Sequence, residues 1–212
     1  MFTWAKSQTT RRTAETSGAY DGTPQIARGL LSGTRIASEM GWRPVEALAA
    51  GDGVLTFDHG MVPVQEVRRQ QCFIDATHVP AAAWPIHIPA GALGNAQDAR
   101  VLPDQGVMVE SDTADDAFGD PFAIVPAKSL IGWNGVVQTP CHQRIDTVHL
   151  IFDRDVVVYS DGGLLVHCPR VTNIIDMLAG HHQSDTAYRT IRGPEAASIL
   201  AGVVPNTQQH LM

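Results

Sequence analysis

The side chains able to do chemistry in this sequence are few, and their spacing limits each of them. Three cysteines, Cys72, Cys141 and Cys168, lie far apart without a C-x-x-C pair, the pattern of reduced structural thiols rather than of a disulfide framework. Cys141-His142 and His167-Cys168 invite a zinc reading, because thiolate and imidazole are the donors zinc prefers. Neighbours on an extended strand point to opposite faces, however, so each pair offers a given face one ligand and not two. His181, His182 and Asp185 would supply a single i, i+4 pair on a helix, against which stands a plain solvated stretch. The acidic run SDTADDAFGD from Ser111 to Asp120 lacks the D-x-[DN]-x-[DN]-G order of a calcium loop and reads as a solvated surface loop. Ser32, just before Gly33, reads as an ordinary turn residue, and His59 and His78 as lone surface histidines. No glycine loop of the phosphate-binding kind occurs.

The elements that must position these groups are mostly short strands. From Gly33 to Gly60 a β-branched run (Thr34, Ile36) leads through Trp42-Arg43-Pro44-Val45 to one helical turn at Glu46 to Ala49. Gly51-Asp52-Gly53 closes that turn, and the strand Val54 to Phe57 runs into Asp58-His59-Gly60. Gly and Asp tolerate the positive φ of tight β connections, so Val54 to Phe57 should pair with Met61 to Gln70 as a hairpin. Ile86 and Ile88 alternate about His87, the period of a half-buried strand, and Val107 and Val109 share one face. The segment Pro89 to Asn95 is small and reads as flexible. Asn134-Gly135 is a further turn signal. Ile145, Val148 and Leu150 alternate before the apolar run Val156 to Tyr159, with Arg154-Asp155 between, which suggests two adjacent strands of an antiparallel meander. Pro194 to Gly202 has proline near its start and glycine at its end, as a short helix does.

The chain has 212 residues, 44% of them hydrophobic and 17% charged, enough to bury a core and form one β-rich domain with a tail. A net charge of −7 argues against nucleic acid as the main partner, since phosphate binding needs a local surplus of Lys and Arg. No apolar run is long enough to span a bilayer, and the polar leader Met1 to Arg28 holds no apolar segment of the secretory kind. A cytoplasmic place, or export by a signal-independent route, is therefore expected. Phe2 and Trp4 are the aromatic exceptions in that arm, set against its reading as an unconstrained terminus.

Together these motifs resemble the Hint (Hedgehog/intein) domain family, and within it a bacterial branch common in marine alphaproteobacteria. The family pattern G-T-x-I-A-T reads here Gly33-Thr-Arg-Ile-Ala-Ser38. G-x-x-P-V-E-x-L-x-x-G-D-x-V-L-T reads Gly41-Trp-Arg-Pro-Val-Glu-Ala-Leu-Ala-Ala-Gly-Asp-Gly-Val-Leu-Thr56, followed by a D-x-G turn. Pro89 to Gly94 is similar to the segment before the branch's second catalytic block, and Val148 to Gly162 to its penultimate strand pair. The resemblance spans Gly29 to Arg170. It implies an all-β, pseudo-symmetric horseshoe of antiparallel strands with a short C-terminal helix, arranged as an arm (1–28), a Hint-like domain (29–170) and a tail (171–212).

The resemblance also implies self-processing. In this family a first-residue Cys or Ser attacks the preceding carbonyl, because the backbone alone offers no nucleophile, and a histidine of the second block protonates the departing amide nitrogen. Carried onto this chain, C-F-x-x-G-T falls on Gly29-Leu-Leu-Ser-Gly-Thr34 and places Gly29 at the nucleophile. S-P-x-H-R-V-L-L falls on Leu102 to Val109, placing Gln105 at the histidine and Leu102 at the hydroxyl. Asp155 stands where the branch shows histidine after F-D-R. Loss of one member of a catalytic unit removes most of its rate, about a million-fold in nucleophilic hydrolases. The expectation is a degenerate Hint domain that needs no cofactor or metal and binds protein partners through its arm or tail, without nucleic acid or membrane. The alternative is an active domain that cleaves near residues 28–32 by an acyl shift to Ser32.

Overall fold

The computed structural model describes residues 28–72, 80–142, 145–170 and 188–203. Phe2, Trp4, His78, His181, His182 and Asp185 lie outside them, as does the side chain of Cys72. The described residues form fourteen strands in three sheets, and every pairing between those strands is antiparallel. Two α-helices are described, α1 (Asp112–Phe118) and α2 (Pro194–Ala201). Among the described residues no helix is long and apolar enough to cross a membrane.

The Gly33 to Gly60 stretch folds as its turn residues require. β2 (Arg35–Ser38) pairs with β3 (Gly41–Pro44), and a 3-10 turn at Val45–Ala47 leads to β4 (Gly53–Thr56). β4 returns as the expected hairpin with β5 (Gly60–Pro63), closed by the Thr56 hydroxyl donating to the Gly60 carbonyl at 2.8 Å. β5 ends at Pro63, and the pairing runs out just beyond it, where Val64 donates its N–H to the Asp52 carbonyl at 2.9 Å and accepts the Gly51 N–H at 2.8 Å. The rest of that segment forms a separate strand, β6 (Glu66–Cys72), on another sheet.

Three expectations are corrected by the structure. The strands on either side of Arg154, β12 (Ile145–Ile151) and β13 (Val156–Tyr159), do not pair with each other. β12 lies between β1 (Leu30–Leu31) and β6, whereas β13 lies between β4 and β14 (Leu165–Cys168). Val156, Val157 and Val158 are fully buried on both faces, which is the environment of a central strand and not of one arm of an exposed hairpin. The acidic run is a helix rather than a loop: Ala114 is buried beneath it, Asp112 and Asp115 sit in the first turn where the helix dipole favours negative charge, and Gly119 ends it in the left-handed region at φ 71°. The segment Pro89 to Asn95 is held rather than loose. Asn95 is 1% exposed, accepts the Leu93 N–H, and donates to the Pro89 and Gln97 carbonyls.

The C-terminal helix belongs to the core. Ala196, Ile199 and Leu200 of α2 are buried in the main apolar cluster, Ile191 precedes them there, and the Ser111 hydroxyl donates to the Ile199 carbonyl at 2.7 Å. Thr190 bridges to Ile124 of β10 (Phe122–Pro126), which pairs with β9 (Gly106–Glu110). Residues 189–191 thus run along the β10 edge of the sheet whose next strand, β9, is entered from Gln105.

Candidate functional site

Gly29 immediately precedes β1, and the register Leu30 opposite Val148 sets it across from His149. It is buried with φ 110°, and a Cβ built there would stand 3.0 Å from both Cε1 and Nε2 of the His149 ring. Gln105 ends the turn before β9 and is 5% exposed. Its Oε1 accepts the Gly29 N–H at 3.0 Å, while its Nε2 donates to the His167 carbonyl at 2.7 Å and to the Gly106 carbonyl at 3.1 Å. One amide therefore joins three backbone segments, with both of its hydrogens in use. Leu102, at the start of the same turn, packs with Leu31 and Cys141 in a small apolar cluster.

Asp155 lies at the turn into β13, 3% exposed, and its Oδ1 accepts the Arg170 backbone N–H. His167 Nε2 stands 3.9 Å from that oxygen, beyond hydrogen-bond range. Both His167 Nε2 and Asp155 Oδ2 are buried without a partner. Cys168 follows on β14; burial first, and then the Asp155 charge, push its thiol up to about 12. At neutral pH it stays protonated and is a poor nucleophile.

Gly29, Gln105, Asp155, His149 and His167 all border one cleft of about 640 Å³. Ser32 does not border it. The serine is exposed and lines an adjoining cavity of about 410 Å³, which also touches Gly29 and Gln105 and is lined by no histidine. His59 is exposed at the β4–β5 turn and lines neither cavity. Cys141 takes a long contact from an Arg100 guanidinium nitrogen at 3.7 Å. Among the described residues no three His, Cys, Asp or Glu side chains converge as metal ligands would.

The sequence profile of the Hint domain matches residues 29–165, well over half of the chain. The chain belongs to the Hint domain family. Solved structures similar to this Hint domain include a splice-inactive variant of the AceL NrdHF class 3 split intein, 15% identical with TM-score 0.46, over 68% of this chain and 99% of that one. Another is a bacterial intein-like domain from Clostridium thermocellum, 16% identical with TM-score 0.47, over 66% and 98% of the two chains. The MchDnaB-1 intein is similar at 11% identity and TM-score 0.39, over 65% and 99%. No curated protein matches the chain.

Of the two histidines in this Hint domain's cleft, residue type and spacing miss one and read the other in a different role. His149 sits on the alternate face of a strand whose apolar positions drew attention, and only the β1–β12 register brings it over Gly29. His167 was weighed as a zinc ligand beside Cys168, and its relation to Asp155 depends on the β13–β14 pairing. The His149 imidazole is held below the ordinary histidine range, first by burial and then by the positive charge of Arg68. The unfolded chain therefore takes up this proton at higher pH than the folded one, so the group's contribution to stability is intact above about pH 6.5 and falls as pH drops through the window beneath it. Replacing His149 with glutamine should flatten the fall of the urea midpoint between about pH 7 and pH 5. An unaltered pH slope would assign that fall to other groups.

Proposed function

We propose that this Hint domain does not cleave itself and serves as a binding or assembly module. The observation that carries the reading is the Gly29–Gln105 contact. At the place where the family resemblance puts a nucleophile there is no side chain, and the adjacent amide N–H is held by a carboxamide at 3.0 Å. A carboxamide has no proton to give a leaving amine at neutral pH, and both of its hydrogens already bind carbonyls. The Cys168 thiol, protonated at neutral pH, does not replace the missing group. In this reading the partner is another protein, and the scaffold persists because its turns and core hold a binding cleft in shape.

The rival reading, acyl shift to Ser32, draws on the serine's place in the adjoining cavity that reaches Gly29. It lacks a histidine there to take or give a proton. Intact-mass measurement of the purified full chain, before and after long incubation with thiol, separates the two. The expected spectrum shows the uncleaved mass throughout. A new N-terminus between Arg28 and Thr34 that disappears in Ser32→Ala would overturn the proposal and establish the rival.

A further inference from the structure

The cleft holds an unusual concentration of positive charge for a chain of net charge −7. Arg28, Arg68, Arg69, Arg170 and Arg192 line it, against Asp104 and Asp155. Several of these charges are already engaged. Asp104 pairs with Lys128 at 2.7 Å, Arg68 pairs with Glu66 at 2.8 Å, and Arg69 donates to the Glu46 and Leu48 carbonyls. Arg170 and Arg192 are exposed at the rim, and the Arg28 Nε is buried without a partner. Guanidinium groups poised this way suit carboxylates, which they bind through two parallel hydrogen bonds.

The deeper part of the cleft asks for something different. Asp155 Oδ2 is buried and unpartnered, so it needs a donor and repels an anion. His167 Nε2, also buried and unpartnered, lies beside the same carboxylate. A peptide backbone satisfies both requirements, since its N–H donates to the carboxylate and its C=O accepts from the imidazole. Leu30, Ile124, Val148 and Leu150 add apolar wall between floor and rim. An inorganic anion would meet the arginines and leave the floor unsatisfied, whereas a neutral peptide would meet the floor and leave the rim unused.

We propose that this cleft binds an extended acidic peptide segment of a partner protein, with main-chain amide groups at Asp155 and His167 and carboxylate side chains at Arg170 and Arg192. This rests on the reading that the domain is a binding module, and names the chemistry of what it binds. The test is fluorescence anisotropy of the full chain with a labelled octapeptide alternating Glu and Gly, beside a counterpart with Gln for Glu. The acidic peptide should bind about tenfold tighter, and Arg170→Ala with Arg192→Ala should remove that preference. Arg170→Lys with Arg192→Lys should keep a part of it, which excludes a folding defect as the cause. Equal affinity for the two peptides, an unaltered preference in the double alanine variant, or full displacement by an equal concentration of inorganic phosphate would each overturn the proposal. Intact mass of the same sample keeps the two claims apart: an uncleaved chain that binds neither peptide refutes the acidic ligand and leaves the loss of self-cleavage standing.

Discussion

Replacing Gln105 with leucine should lower the unfolding free energy by about 2–6 kcal/mol, because it strands two buried backbone groups at about 1–3 kcal/mol each. The groups are the Gly29 N–H, now donated to Oε1 at 3.0 Å, and the His167 carbonyl, which accepts from Nε2 at 2.7 Å. Leucine fills a similar volume, so a cavity contributes little to the loss. Urea unfolding measures it, with the midpoint falling while the slope stays constant. A change below about 0.5 kcal/mol, the range of an ordinary surface substitution, would mean that Gln105 is not the tie between these segments. Glutamate at the same position sharpens the assignment. It keeps the acceptor for Gly29 but turns a carboxylate oxygen toward two carbonyls, so its folded-state pKa should rise. Relative to wild type, the stability of Gln105→Glu should be best below the ordinary glutamate pKa of about 4.3 and decline as pH rises through the raised value. A Glu variant that improves with pH instead would show that the carbonyls do not face this side chain. The Gln105 side chain thus ties Gly29, Gly106 and His167 together.

How legible the site was follows from whether each feature is local or distant. The β4–β5 hairpin was readable because Asp58-His59-Gly60 carries its own turn chemistry, and Asn134-Gly135 was readable for the same reason, with both residues at positive φ in the structure. The C-terminal helix was readable from Pro194 and Gly202, although nothing in those residues says that Ile199 and Leu200 enter the main core. The partners of β12 and β13 were not readable, because Val156 to Tyr159 looks alike whether it continues a meander or crosses to another sheet. The acidic helix was missed because its charges suggested solvation, while the deciding features were one buried alanine and a left-handed glycine. Family resemblance pointed to Gly29, Gln105 and Asp155, and the structure places all three at one cleft. It did not point to His149 or to the arginines, whose positions arise from strand register and from the return of residues 188–203.

Gly29→Ala should be the second costly substitution, by about 2–5 kcal/mol, and the cost should split into two separable parts. The first is backbone strain: φ 110° lies outside the left-handed region that L-residues adopt, and leaving a side chain there costs about 1–3 kcal/mol. The second is steric, since the new Cβ would meet the His149 ring at 3.0 Å from two of its atoms. Removing the ring isolates the first part. In a His149→Ala background the Gly29→Ala cost should shrink by about 1–2 kcal/mol, a coupling a double-mutant cycle resolves by urea unfolding. Equal costs in the two backgrounds would show that the imidazole does not crowd this position. The same geometry bears on restoring a nucleophile. Gly29→Cys would carry its thiol into the ring's space, against a strained backbone, and would still face a carboxamide at Gln105, the position where the family resemblance implies a proton donor. Members of a catalytic unit act together, so a thiol introduced alone should give little cleavage. Glycine at this position is therefore tied to its surroundings from two sides, by the Gln105 carboxamide that holds its N–H and by the His149 ring that occupies the room a side chain would need.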